Sequence, residues 1–359
     1  MKLKKAAGNK AGSAGKRALS DPSSNITMQE VARLAGVSAM TVSRALKADS
    51  SVSPSTRAHV LDVVNETGFV LDANARVFAS GRSGFVAALI PSLNNSNFAD
   101  TVHGMSIGFE RSGLQLLLGD TSYSLEREEH LIGVLLQRRP EAIVLTGGMH
   151  TTRARKMLAS ADIPIVETWD LPKTPLGHVV GFSNAGAGAA MVRYLHDRGY
   201  RRIGFIGGST NRDTRGSERR AGYIKAVREL GLPEGRVITF GKPPVSMEQG
   251  SEALELMLRR WPDVDAVICV SDLSAFGALM ECHRRGMRVP NQIAIAGFGD
   301  FDVARCSWPR LTTTAIDCVG IGARTSEIVL SAIDARGRRE TMAPATVVME
   351  HKVIARETT

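Results

Sequence analysis

From residue 85 onward the chain alternates two apolar patterns. Short, nearly unbroken apolar runs occur at 85–90, 114–118, 142–146, 164–169, 179–182, 203–206, 237–240, 266–270 and 293–297, and stretches of helical periodicity separate them. Apolar runs without polar alternation are strands buried on both faces, the pattern of a parallel sheet covered by helices. So many units exceed one comfortable sheet, and the fold class that follows is α/β, with two doubly wound parallel-sheet subdomains. The expected division places 85–182 and 314–340 in an N-terminal subdomain, and 183–313 and 341–357 in a C-terminal one. One last strand is expected within 346–355.

Residues 26–71 read differently, as an all-α head without a strand. Thr27 and Glu30 have the spacing of a capping box. Val31, Leu34 and Ala35 recur at i, i+3, i+4 and predict one apolar stripe. Gly36 permits the left-handed residue that ends a helix. Ser38 is placed to cap a second helix, with Val42 and Leu46 facing inward, and Ser53-Pro54 opens a third as N-cap and N1. Val60, Val63 and Val64 close a small core. Helix, glycine-containing turn and helix make a helix-turn-helix, which occurs both in DNA readers and as a plain packing unit.

The residues on the second helix favour the reader. Ala39, Met40, Thr41, Ser43 and Arg44 give it a face of small, apolar and hydrogen-bonding groups suited to thymine methyls and base edges, while Arg44 and Arg57 suit phosphates. Charge agrees. The chain carries +9 overall, and residues 1–83 hold twelve Lys/Arg against six Asp/Glu. A surplus concentrated beside such a motif points to a polyanion, here double-stranded DNA. Residues 1–25 read as a disordered basic tail, and residues 72–84 as a connector.

Other chemistry is not supported. The basic tail is followed by no apolar segment of a secretory signal and the chain has no membrane-spanning run, so a cytoplasmic protein without a membrane partner is expected. Cys269, Cys282, Cys306 and Cys318 fit no zinc or redox spacing and read as buried thiols. The histidines show no metal spacing, no nucleophile and base can be assembled, and neither enzyme activity nor a cofactor or metal is expected. Gly186, Gly188 and Met191 mimic a dinucleotide loop, but the third small residue and the acidic ribose ligand are absent.

Ligands of doubly wound domains bind beyond the carboxyl ends of the strands. Asn97, Phe98, Asp120, Thr146, Glu167, Trp169, Asp170, Asn184, Arg219, Asp272 and Asp300 sit in such places. Most can hydrogen-bond hydroxyls, and Phe98 and Trp169 can stack on a sugar ring. Each singly is as compatible with a helix cap or solvated loop; the set points to a small polar ligand.

The segment 27–46, the run Val52-Ser-Pro-Ser-Thr-Arg57 and the pair Gly68-Phe69 together resemble the head of the LacI/GalR repressor family, and the order of head, connector and a sensor like periplasmic sugar-binding proteins matches over 26 to about 355. The resemblance implies that Ala39 and Met40 choose the operator, with Thr27, Ser38, Thr41, Ser43, Arg44, Ser53 and Arg57 completing the DNA-facing set. It implies a hinge helix in the connector, with Asn74, Ala75 and Phe78, where Phe78 replaces the usual leucine wedge in the minor groove. The usual Pro-Asn before it is Leu71-Asp72 here. Arg219, Gly222 and Tyr223 are similar to the family's Arg-x-x-Gly-aromatic motif, whose arginine reaches the effector. Asp272 matches an Asn-Asp motif in which Ser271 replaces the Asn. Gly299 stands where an Asp is common, leaving Asp300 or Asp302 as substitutes and a pocket less hostile to anions.

Finer motifs, among them Val166-Glu-Thr-Trp-Asp170, look closest to the gluconate-operon repressor branch. This implies a homodimer on a palindromic operator, released by a sugar or sugar-acid effector such as gluconate. A neutral sugar, or a corepressor, stays open. A sugar-binding transport component is the rival class, but it leaves the head unexplained.

Overall fold

The computed structural model describes residues 26–46, 51–70, 82–208 and 213–359. The tail 1–25 and the hinge positions Asn74, Ala75 and Phe78 lie outside the described residues. Two compact units divide at Gly81 and Arg82.

In the first unit, α1 (Met28–Leu34), α2 (Ala39–Leu46) and α3 (Pro54–Thr67) pack around Val31, Ala32, Ala35, Val42, Ala45, Val60 and Val63. Thr27 accepts from the Glu30 amide at 3.3 Å, but the reciprocal half of the expected capping box is missing. The Glu30 carboxylate instead takes a 2.6 Å bond from Arg33. The expected stripe also shifts. Ala32 is buried while Leu34 is 46% exposed, because the helix turns its 31–32–35 edge to the core. Gly36, at φ +63°, and the Ser38 and Ser53 caps form as the sequence predicts.

The second unit contains two six-stranded sheets among the described residues. The first lobe is built from β1 (Phe85–Ile90), α4 (Ser96–Phe109), β2 (Gln115–Asp120), α5 (Leu125–Gln137), β3 (Ala142–Thr146), α6 (Thr152–Ala159), β4 (Ile165–Thr168) and β5 (His178–Gly181). Its sheet is entirely parallel, in the order β11-β5-β4-β3-β1-β2. The second lobe holds α7 (Asn184–Asp197), β6 (Ile203–Gly207), α8 (Thr214–Glu229), β7 (Val237–Thr239), α9 (Met247–Arg260), β8 (Ala266–Cys269), α10 (Asp272–Arg284), β9 (Ala294–Phe298), α11 (Asp302–Cys306) and β10 (Thr312–Ile316). Then come α12 (Cys318–Gly337), β11 (Thr346–Val348) and β12 (His351–Ile354). The second sheet runs β12-β10-β9-β8-β6-β7, with only the β10–β12 pair antiparallel.

Successive residues of one strand feed opposite cores: Val86, Ala88 and Ile90 join one cluster, and Ala87 and Leu89 the other. That is the both-faces burial read from the apolar runs.

Three corrections concern the last third of the chain. Residues 312–316 form one whole strand of the second sheet, so a boundary at 314 cuts through β10. The expected final strand is two strands in different sheets, β11 beside β5 in the first and β12 beside β10 in the second. The chain therefore crosses between lobes after β5, β10 and β11, and residues 346–348 belong with the first lobe. Finally, Cys306 is exposed, since α11 is a five-residue surface helix, while the other three thiols are buried.

Candidate functional site

In the head, α2 presents Met40, 62% exposed, together with exposed Arg44 and half-buried Thr41 and Ser43. Ala39 is half-buried against the small core, so of the two residues opening α2, Met40 projects the more freely. Neither Arg44 nor Arg57 pairs with a carboxylate among the described residues, so both guanidinia remain available to an external anion. Ser38 and Ser53 spend their hydroxyls on the caps of α2 and α3, which fixes where each helix begins.

In the second unit, a narrow cleft lies between the two lobes. Its first-lobe wall carries Asn95, Asn97, Phe98, Tyr123 and Trp169, and its second-lobe wall Asp213, Arg215, Arg219, Ser271, Phe298 and Phe301, with a few apolar neighbours. The aromatic floor is continuous. Phe98 meets Trp169 edge-on at 5.0 Å, Trp169 meets Phe182 at 5.7 Å, and Phe182 stacks on Phe298 at 6.1 Å. Trp169 adopts φ +70°, which an aromatic residue rarely does. Its backbone amide donates to Val180, and its indole N–H donates to Thr101 at 3.1 Å.

Arg219 is positioned by packing as much as by partners. Gly188 in α7 lies so close to α8 that an added Cβ would sit 2.1 Å from the Arg219 carbonyl oxygen, and Gly222 touches the Ala185 carbonyl in the same way. Gly188, one of the residues that imitate a dinucleotide loop, thus lets two helices meet together with Gly222. Arg219 then donates to Asn184 at 2.7 Å, stands 3.9 Å from the Asp213 carboxylate, and lies 4.1 Å over the Phe298 ring. Its Nε is buried without a partner among the described residues. Burial lowers the guanidinium pKa, and Asp213 opposes that shift.

The structure brings together only part of the expected set. Asn97, Phe98, Trp169 and Arg219 line the cleft. Asn184 lies behind Arg219 and also donates to the Trp169 carbonyl at 3.0 Å. Thr146 lines an adjoining recess and gives its hydroxyl to Leu89.

The remaining carboxylates do not line the cleft, because each is consumed by its own structure. Asp120 accepts from Ser122 and the Leu93 amide, closing the loop after β2. Glu167 is fully buried, accepts from the Leu176 amide, and stands 3.3 Å from His150. Asp170 accepts from Leu171. Asp272 is fully buried, accepting from Thr313 at 2.6 Å and the Phe301 amide at 2.8 Å. Burial pushes its carboxyl up to about 6, against the pull of those two bonds. Asp300 pairs with Arg356 at 2.5 Å and Arg305 at 3.3 Å.

Asn95 falls in the 94–98 run after β1 that the sequence singles out, whereas sequence reasoning missed Tyr123, Asp213, Arg215 and Phe301. Arg215 was findable, because it lies one helical turn before Arg219 and shares its face.

Comparison with known proteins agrees with this architecture. Residues 27–71 match the model of bacterial regulatory proteins of the lacI family, and residues 192–359 match a periplasmic binding protein-like domain. The HTH-type transcriptional regulator GntR of Pseudomonas aeruginosa is 36% identical over 93% of this chain and 95% of its own. A crystal structure of a LacI family transcriptional regulator from Silicibacter pomeroyi superposes with a TM-score of 0.86 at 33% identity, covering 93% of this chain and 99% of that one. The lac repressor dimer bound to operator and the anti-inducer ONPF shares the fold, with a TM-score of 0.80 at 21% identity, over 94% of this chain and 99% of that one. Among the described residues no helix is long and apolar enough to cross a membrane. A regulatory head, a two-lobed sensor and relatives aligned over nearly the whole chain establish that this protein belongs to the LacI family of bacterial regulatory proteins, DNA-binding transcription regulators rather than enzymes.

Proposed function

We propose that this regulator is a cytoplasmic homodimeric repressor of sugar or sugar-acid utilisation genes, released from a palindromic operator by a sugar acid such as gluconate. One observation carries the choice of ligand. The cleft is walled by aromatic faces and side-chain amides, and its lining holds two guanidinia against a single carboxylate. Aromatic faces suit the C–H faces of a polyol, amides suit its hydroxyls, and the surplus positive charge suits a carboxylate. GntR of Pseudomonas aeruginosa, similar over almost the full length, supports the same branch.

The mechanism follows from lobes joined by three strand crossings. A ligand that touches both walls favours the closed arrangement by its differential contacts. Closure then disfavours the pairing of two hinge segments, including Asn74, Ala75 and Phe78, and the paired heads lose their grip on DNA.

Calorimetry with gluconate, neutral hexoses and pentoses tests the ligand class. The proposal expects gluconate to bind most tightly and to weaken operator binding. Tighter binding of a neutral sugar refutes the acid, and tighter operator binding with ligand makes the ligand a corepressor.

A further inference from the structure

We infer that Arg215, rather than Arg219, is the residue that reads the carboxylate of the effector, and that it does so from the second lobe while docked on the first. The inference rests on the sugar-acid reading and assigns its charge recognition to one side chain.

The two arginines occupy different electrostatic situations. Arg219 already has Asp213 at 3.9 Å and Asn184 at 2.7 Å. Arg215 is 6% exposed and has no carboxylate within 4 Å among the described residues. Its contacts are a 3.2 Å bond to the Thr146 carbonyl and the ring faces of Phe98 at 5.5 Å and Tyr123 at 5.8 Å. A carbonyl and two ring faces stabilise a cation only partly, and a buried charge without a counter-ion is otherwise expensive. The cleft is therefore one anion short, and the deficit lies at Arg215.

The neighbouring backbone makes room for that guanidinium. Gly147 sits at φ +106°, and a Cβ there would stand 2.9 Å from Arg215 Nη1. Thr146, Phe98 and Tyr123 all belong to the first lobe, whereas Arg215 lies in the first turn of α8 in the second. A carboxylate that meets Arg215 neutralises a buried charge held between the lobes. Arg219, with part of its donor set already committed, is left to the hydroxyls of the same ligand. A guanidinium fork matches a carboxylate with two parallel bonds, which an ammonium cannot reproduce.

The test is calorimetry on the full-length protein with D-gluconate and its uncharged counterpart D-glucitol, using wild type, Arg215→Gln, Arg215→Lys and Arg219→Gln. Arg215→Gln is expected to weaken gluconate binding about 100-fold or more and to change glucitol binding less than about threefold. Arg215→Lys should recover about tenfold of that loss, and Arg219→Gln should weaken both ligands to a similar degree. Melting curves of the free variants verify folding, and Arg215→Lys supplies the answer if the glutamine variant does not fold. A wild type without preference for gluconate over glucitol overturns the sugar-acid reading itself. A wild type with that preference, retained in Arg215→Gln and lost in Arg219→Gln, overturns the assignment to Arg215 alone.

Discussion

Asn184 accepts a 2.7 Å hydrogen bond from Arg219, and the same amide donates to the backbone of Trp169 across the lobe boundary. One buried side chain therefore holds both a cation of the cleft and an aromatic floor residue in place. Asn184→Ala leaves both partners unsatisfied. We predict a loss of effector affinity of about 10- to 100-fold, as expected when buried polar groups lose their mates. Operator binding without effector should stay within about twofold of wild type, as measured by fluorescence anisotropy.

Gly188→Ala tests whether helix contact positions Arg219. The added methyl has nowhere to go but into the Arg219 carbonyl. Separating α7 from α8 should cost about 1–3 kcal/mol by urea denaturation, the usual range for overpacking. Effector binding should weaken more than this global loss explains. Unchanged affinity would mean that α8 tolerates displacement.

His150 predicts a pH dependence. Its ring is fully buried, 2.6 Å from Glu128 and 3.3 Å from Glu167, and so ties the segment after β3 to α5 and β4. Burial alone lowers its pKa, but the hydrogen bond to Glu128 and the nearby Glu167 carboxylate outweigh it and raise it to about 9. A folded-state value above the unfolded one means stability that is fully present below about pH 6.5 and lost as pH rises through about 9. His150→Gln should therefore cost about 3 kcal/mol at pH 6, where it leaves two buried carboxylates without their cation. The gap to wild type should narrow towards pH 9.5. A gap independent of pH would show that His150 is neutral in the fold.

In the head, Arg44→Ala should weaken binding to all duplexes alike and reduce the salt slope by about one. Met40 replacements should instead change which sequence is preferred. Larger residues at Ala39 should do both, altering preference and lowering the melting temperature, since Ala39 packs on the core. Footprints and preference unchanged by both replacements would remove α2 as the reading helix.

What the sequence made legible was local. The Gly36 turn, the Ser38 and Ser53 caps and the unbroken apolar strands each depend on residues within a few positions of one another. The strand β10 escaped notice because Thr312, Thr313 and Thr314 break the apolar pattern, yet all three are buried. Thr313 spends its hydroxyl on Asp272, a partner far away in the chain. The same long-range bonding misled the reading of the site. Asp272, Glu167 and Asp300 stand near strand ends as ligand-binding carboxylates would, but their partners Thr313, His150 and Arg356 absorb them. The division of 346–354 between two sheets was equally hidden, since alternation reveals a strand but not its neighbour.

The central claim is that the head reads a duplex and the cleft controls it. Its most direct measurement selects the preferred sequence from random duplexes with the full-length protein, then titrates that complex with gluconate and glucitol while following anisotropy. The account predicts enrichment of a two-fold symmetric sequence and release by gluconate at concentrations where glucitol has no effect. Failure to enrich any sequence, or a complex indifferent to both ligands and to neutral sugars, would contradict it.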